Sequence, residues 1–276
     1  MKGLLIYERH ESIRNHRFIE YWLDTARVKN VDLKLVLIEE MSFGLRDNKP
    51  FLVVNGENVT ADFAVVRAKK PLLSHHLEKM GIAVFNPAHV SEILNDKRKT
   101  HALFQDDFPM MDTAFVEGES PSPFPYPVVV KSSGGCGGRE VRLCDNEESY
   151  YQALKDFAYS AVVQPLCDTP GRDVRVYMLG KKILQCMLRY SDTEDFRANF
   201  GLHHCARPID IPDDIRRMAL EAADRFDFGL VGVDFIFDHG RALFNEAEDV
   251  VGTRMLYQYT DMDIVPMYMD YILARL

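Results

Sequence analysis

Three carboxylates near the end of the chain lie where an apolar hairpin would bury its side chains. Val233-Asp234-Phe235-Ile236-Phe237 and Leu243-Phe244-Asn245-Glu246-Ala247-Glu248 flank Asp238-His239-Gly240, the pattern of two strands about a tight turn. Glu246 and Glu248 are two residues apart, so on a strand they share one face. Asp234, on the partner strand, comes within reach of that face. Acids clustered in this way repel one another and lose hydration. A divalent cation relieves both problems, and an oxygen-only ligand set favours magnesium, manganese or calcium over zinc. An edge hairpin with its acids in solvent explains the hairpin alone equally well.

Other segments carry chemistry of a complementary kind. Val128-Val129-Val130-Lys131 is an apolar strand ending in a lysine. Ser132-Ser133-Gly134-Gly135-Cys136-Gly137-Gly138-Arg139 follows, then a second strand at Glu140–Leu143. A glycine-rich loop between strands exposes backbone amides that can fold over phosphates. It has neither the Gly-Lys-Ser/Thr ending of a P-loop nor the spacing of the dinucleotide fingerprint, and taken alone it reads as a turn. Ala161–Leu166 is a strand running into an irregular segment. Asp173-Val174-Arg175-Val176-Tyr177 alternates, so Asp173 and Arg175 share a face. Asp195-Phe196-Arg197-Ala198-Asn199 adds an arginine and an amide in a loop.

In this order the pieces resemble the ATP-grasp superfamily, in its RimK-like, ribosomal-protein glutamate ligase-like branch of carboxylate–amine ligases. The resemblance runs from about Asn86 to Leu276. It is carried by Asn95-Asp96-Lys97, the strand ending at Lys131 with its glycine loop, Val163-Gln164, Gly171-Arg172-Asp173-Val174-Arg175, Asp195–Asn199, Val231-Gly232-Val233-Asp234, Asn245–Glu248 and Gly252. It implies an ATP- and magnesium-dependent ligase, with manganese as a substitute ion, that makes an amide through an acyl phosphate. Lys97, Lys131 and the amides of Gly134, Gly135, Gly137 and Gly138 would meet phosphates. Gln164 and Leu166 would meet adenine, and Asp173 a ribose hydroxyl. Asp234, Glu246 and Glu248 would hold the metal. Arg175, Arg197 and Asn199 would act on the transferring phosphoryl group and the substrate. A small-molecule kinase and a nucleotide-binding regulator with little turnover are the alternatives.

The chain departs from the family pattern at defined places. Glu246-Ala247-Glu248 stands where Glu-x-Asn is usual, and Pro165 where an acid usually follows the hinge glutamine. Val250-Val251-Gly252 replaces Ser-Pro-Gly, and Phe200–His204 replaces His-Arg-Gly-Gly. The substrates are the least legible part. Arg67, Lys69 and Lys70 follow the strand Ala64-Val65-Val66, at a sheet end that in parallel sheets often faces a ligand. Arg67, with Arg254 just past Gly252, would suit a substrate carboxylate; solvated lysines with a structural arginine are the plainer reading.

Composition sets the bounds. The 276 residues carry a formal net charge of −9, which argues against general nucleic-acid binding. No apolar run reaches membrane length. The opening Met1–Tyr7 is too short for a signal peptide and reads as a first strand. Five cysteines without paired spacing suit a reducing cytoplasm. His203-His204-Cys205 is too contiguous to surround one transition-metal ion. A homodimer is left open. The expected fold is α/β, passing to α+β in its ATP-grasp part. A pre-ATP-grasp domain with a parallel sheet spans residues 1–95. A central lobe with the glycine loop follows at 96–160, and a lobe with the metal site at 161–276, the two lobes enclosing ATP.

Overall fold

A computed structural model describes residues 1–135, 138, 140–203 and 205–276. The chain begins with a four-stranded parallel sheet in the order Asp32–Leu37, Lys2–Tyr7, Phe63–Val66, Ala83–Phe85. Its inner strands are apolar and buried apart from the exposed Lys2 that starts the first, as strands covered on both faces must be. Two helices, Arg9–Arg14 and His16–Val28, follow the first strand. The second buries Ile19, Trp22 and Ala26, a helical stripe facing the sheet. A small antiparallel sheet of Met41–Arg46, Lys49–Val54 and Glu57–Asn58 extends this region. Its first turn, Asp47-Asn48, has both residues at positive φ (51° and 61°), which matches the right-handed twist of a hairpin.

The middle of the chain forms an antiparallel sheet in the order Val141–Cys144, Val128–Ser132, Ser160–Pro165, Ala114–Glu117. The helix Glu147–Asp156 covers it with Tyr150, Ala153 and Leu154, and starts in a capping box made by Asn146 and Ser149. The last sheet has five antiparallel strands: Ala206–Pro208, Lys182–Tyr190, Arg172–Leu179, Leu230–Asp238 and Arg241–Glu248.

Alternation gives this last sheet two different faces. Val174, Val176, Met178, Val231, Val233 and Phe235 pack with Ile215, Met218, Ala219 and Ala222 of the helix Asp213–Arg225. Asp173, Arg175 and Asp234 point the other way. The final helix, Ile264–Leu273, shares a core with the N-terminal region, where Tyr268 meets Trp22 edge to face at 5.7 Å. None of the described helices is long and apolar enough to cross a membrane. The mixed α/β architecture is the expected one.

Candidate active site

Strand register assembles the charged face. Arg175 lies across from Asp234, and Asp234 across from Glu246, on three successive strands. Asp173 lies across from Arg189. Asp234 is fully buried. Arg175 donates to it from Nε (2.7 Å) and Nη2 (2.6 Å), and Arg189 from Nη2 (2.6 Å). Arg189 also grips both oxygens of Asp173 at 2.6 Å. Arg175 turns its Nη1 to Glu248 at 2.9 Å. Gly232 makes room for this arginine, since a Cβ there would meet Val251 at 2.7 Å and Arg175 Nε at 3.2 Å.

The register shifts after Asp234, so that Asn245 is the extra residue of a bulge. Bulges re-aim side chains. Here the Asn245 Oδ1 accepts from Lys131 Nζ at 2.8 Å, and its backbone oxygen lies 2.8 Å from His101 Nε2. Lys97 Nζ sits 3.1 Å from Glu246 Oε2. Burial pushes the Lys131 ammonium down to about 8; Glu246 opposes this and the positive charge of Lys97 adds to it. Burial would raise Glu246, but Lys97 and Lys131 outweigh it and hold the carboxyl at about 2. His101 is brought to about 4 by burial and then by Lys131, so it is neutral near pH 7.

Asp234, Glu246 and Glu248 each offer an oxygen within 4.8 Å of the others. Oxygen donors alone, with cations balancing their charge, fit a hard divalent ion. Four carboxylates (Asp173, Asp234, Glu246, Glu248) face four cations (Lys97, Lys131, Arg175, Arg189). The extra charge of Glu248, where the family usually has an amide, is met by Arg175.

Beside this cluster, and sharing Glu246, Lys97, Lys131 and Asp173 with it, opens a cleft of about 800 Å³, counted to its open mouth. Of the residues singled out in the sequence, Lys97, Lys131, Gly135, Gly138, Gln164, Leu166, Asp173, Arg197, Asn199 and Glu246 line it. Gln164 donates its side-chain amide to Thr113 at 2.8 Å. Arg197 is held by Asp195 and donates to the Gly138 oxygen at 3.0 Å. Gly138 has φ +71°, and a Cβ there would overlap the Asn199 side chain. Gly134 lies beside the cleft, and Gly137 falls outside the described residues, as do Cys136, Arg139 and His204 of the other motifs. Arg175, Asp234 and Glu248 lie outside the lining; the two acids are joined to it through Glu246, whose carboxylate is within 4.8 Å of theirs.

Arg67 and Arg254 are placed apart from the cleft lining, about the segment that follows Glu248. Arg67 donates to the Val251 oxygen at 2.8 Å and lines a separate small cavity with Trp22 and Thr253. Arg254, itself exposed, opens the helix Arg254–Tyr259, which buries Met255 and Leu256. Three residues of the region went unassigned in the sequence. Arg189 was hidden because its strand was not recognised, although an arginine in the apolar run Cys186-Met187-Leu188 is a signal. His101 sits on a helix without a motif. Asp249 is buried and accepts from Asn86 (2.6 Å) and Asn95 (3.1 Å), joining the end of the metal-motif strand to the approach to Lys97.

Two antiparallel sheets about a charged cleft, with a glycine-rich loop at its edge, define the ATP-grasp class. The chain belongs to the RimK-like ATP-grasp domain family, whose sequence profile matches residues 111–272. That family comprises ATP-dependent carboxylate–amine ligases, and this chain is an enzyme of that class. An uncharacterized protein of Mycoplasma pneumoniae is 24% identical over 257 residues, covering 92% of this chain and 86% of that one. Beta-citrylglutamate synthase B of Danio rerio is 25% identical over 270 residues, covering 90% and 67%. The solved RimK domain ATP-grasp protein of Sphaerobacter thermophilus superposes with a TM-score of 0.73 at 17% identity, covering 99% of this chain and all of that one.

Proposed function

We propose that this protein uses ATP and magnesium, or manganese in its place, to join a carboxylate to an amine through an acyl phosphate. The observation that carries the reading is the meeting of Lys97, Lys131 and Arg197 with Glu246 in one cleft, where Asp234 and Glu248 each offer an oxygen within 4.8 Å of the Glu246 carboxylate. Magnesium, when bound, would supply charge neutralisation between the acids and the phosphates. Lys97 and Lys131 bind phosphate oxygens, the glycine-loop amides of Gly134, Gly135, Gly137 and Gly138 cover them, and Gln164, Leu166 and Asp173 receive the nucleoside. Arg175, Arg197 and Asn199 stabilise and align the group in transfer. The substrate carboxylate oxygen attacks the terminal phosphorus and ADP leaves. The amine then attacks the acyl carbon, and phosphate departs with that oxygen. Charge placement and alignment suffice, and no enzyme nucleophile is needed.

Arg67 and Arg254 make a carboxylate-bearing substrate, such as an acidic amino acid or a peptide end, the favoured class. The name of the Danio rerio relative, a synthase of a glutamate conjugate, is consistent with that class. A lobe division at 1–95, 96–160 and 161–276, a cytoplasmic setting and the absence of general nucleic-acid binding belong to the same reading. The test is a screen of amino-acid pairs for phosphate release with ATP and magnesium, followed by mass spectrometry. An amide product supports the ligase. A phosphorylated product indicates a kinase, and binding without product a regulator. Glu246→Gln or chelation is expected to abolish most turnover with the fold intact; turnover surviving both rejects the metal assignment.

A further inference from the structure

Three cations from three separate lengths of chain hold carbonyl oxygens of the glycine-rich loop. Lys69 Nζ donates to Gly134 O at 2.9 Å and Gly135 O at 3.4 Å. Lys97 Nζ donates to the same Gly135 oxygen at 2.6 Å, and Arg197 Nη1 to Gly138 O at 3.0 Å. Lys97 and Arg197 line the cleft, while Lys69 is absent from its lining. Lys97 also faces Glu246 at 3.1 Å. A phosphate entering the cleft competes for Lys97 and Arg197 and leaves Lys69 where it is.

The stem of Lys69 is well placed for a fixed role. Arg67 N–H bonds to Ile6 O, continuing the pairing of the parallel sheet, and Ala68 is buried. Lys70 then leads directly into the helix Pro71–Lys79. The lysine therefore reaches from just beyond the end of a buried strand to the carbonyls of Gly134 and Gly135. Ammonium-to-carbonyl hydrogen bonds are among the stronger kind, because one partner is charged.

We infer that Lys69 is a positioning residue that ties the glycine-rich loop to the N-terminal sheet, so that the loop keeps its place when Lys97 turns to phosphate. The inference rests on the proposed ATP-dependent reaction for its consequence, though the tie itself does not. Without Lys69 the backbone at Gly134 and Gly135 is held less firmly, its amides meet the phosphates less well, and water reaches the acyl phosphate. ATP use then separates from amide formation.

The experiment compares wild type, Lys69→Met and Lys69→Arg in the full-length protein. Hydrogen exchange of the peptide spanning residues 133–140, without nucleotide, reads the tie alone. Exchange in Lys69→Met is expected to be about tenfold faster, the scale of one charge-assisted hydrogen bond, with Lys69→Arg close to wild type. KM for ATP is expected to rise by a similar factor, and the ratio of phosphate released to amide formed to exceed that of wild type. Unchanged exchange in Lys69→Met overturns the inference, as does faster exchange with an unaltered KM and product ratio. If wild type fails to bind ATP by calorimetry, the proposed function fails, and the exchange result still decides whether Lys69 holds the loop.

Discussion

The two sheets at opposite ends of the chain, one parallel and one antiparallel, are opposed in what they bury. In the parallel sheet Leu5, Ile6, Phe63, Ala64 and Val65 are fully enclosed, and packing with loss of apolar surface from water holds them. In the five-stranded sheet one face does the same, while the other encloses Asp173, Arg175, Arg189 and Asp234. Taking such charges out of water costs several kcal/mol per ion, which good pairing only offsets. Stability alone does not call for that face. Under the proposed reaction it would serve as a preset array of charge for a metal and a triphosphate.

The largest expected effect tests that contrast. Arg189→Met leaves Asp173 and Asp234 short of a cation and should lower unfolding free energy by about 3–5 kcal/mol, the cost of breaking a buried pair from one side. Leu5→Ala should cost about 3 kcal/mol through cavity formation, yet leave nucleotide affinity of the folded protein unchanged. Denaturant titration with calorimetry on both variants checks the pair. Equal effects on nucleotide binding would erase the distinction between the two sheets.

Lys131→Ala comes next. ATP affinity should fall by about tenfold to a hundredfold, the range for losing one charged phosphate contact, while the thermal midpoint moves by only a few degrees. Unchanged affinity in a calorimetric titration would remove Lys131 from the phosphate site.

A smaller effect follows from the about 8 at which burial holds the Lys131 ammonium. Negative phosphate charge beside it favours the protonated form, so its pKa rises on binding. ATP binding should therefore take up protons near and above pH 8, and affinity should weaken as pH climbs through that value. Calorimetry in buffers of different ionisation enthalpy measures the uptake; proton release there would contradict the contact.

The smallest change is Glu248→Asn. It removes the charge that Arg175 Nη1 meets at 2.9 Å, so turnover should persist with a shifted magnesium-to-manganese preference. Glu248→Ala should lose considerably more activity. Full activity of the alanine variant would exclude Glu248 as a ligand.

Much of this was legible because short-range rules govern it. The Asp238-His239-Gly240 turn and the spacing of Glu246 and Glu248 fix a face without knowledge of the rest. The Asn55-Gly56 and Asp47-Asn48 turns, all four residues at positive φ, are readable in the same way and join the strands of the small antiparallel sheet. What was hidden depends on pairing between distant strands. Arg189 meets Asp234 across 45 residues of sequence, and Asp249 meets Asn86 across 163. The bulge that turns Asn245 toward Lys131 is a property of register, which periodicity cannot supply.

The most direct test of the central claim follows one oxygen atom. A substrate pair identified by the screen is supplied with oxygen-18 in the reacting carboxylate, together with ATP and magnesium, and the released phosphate is analysed by mass spectrometry. Attack of that carboxylate on the terminal phosphorus predicts one heavy oxygen in the phosphate for each amide formed. Phosphate carrying only ordinary oxygen, with the label wholly retained in the organic product, would contradict an acyl phosphate and the role assigned to this cleft.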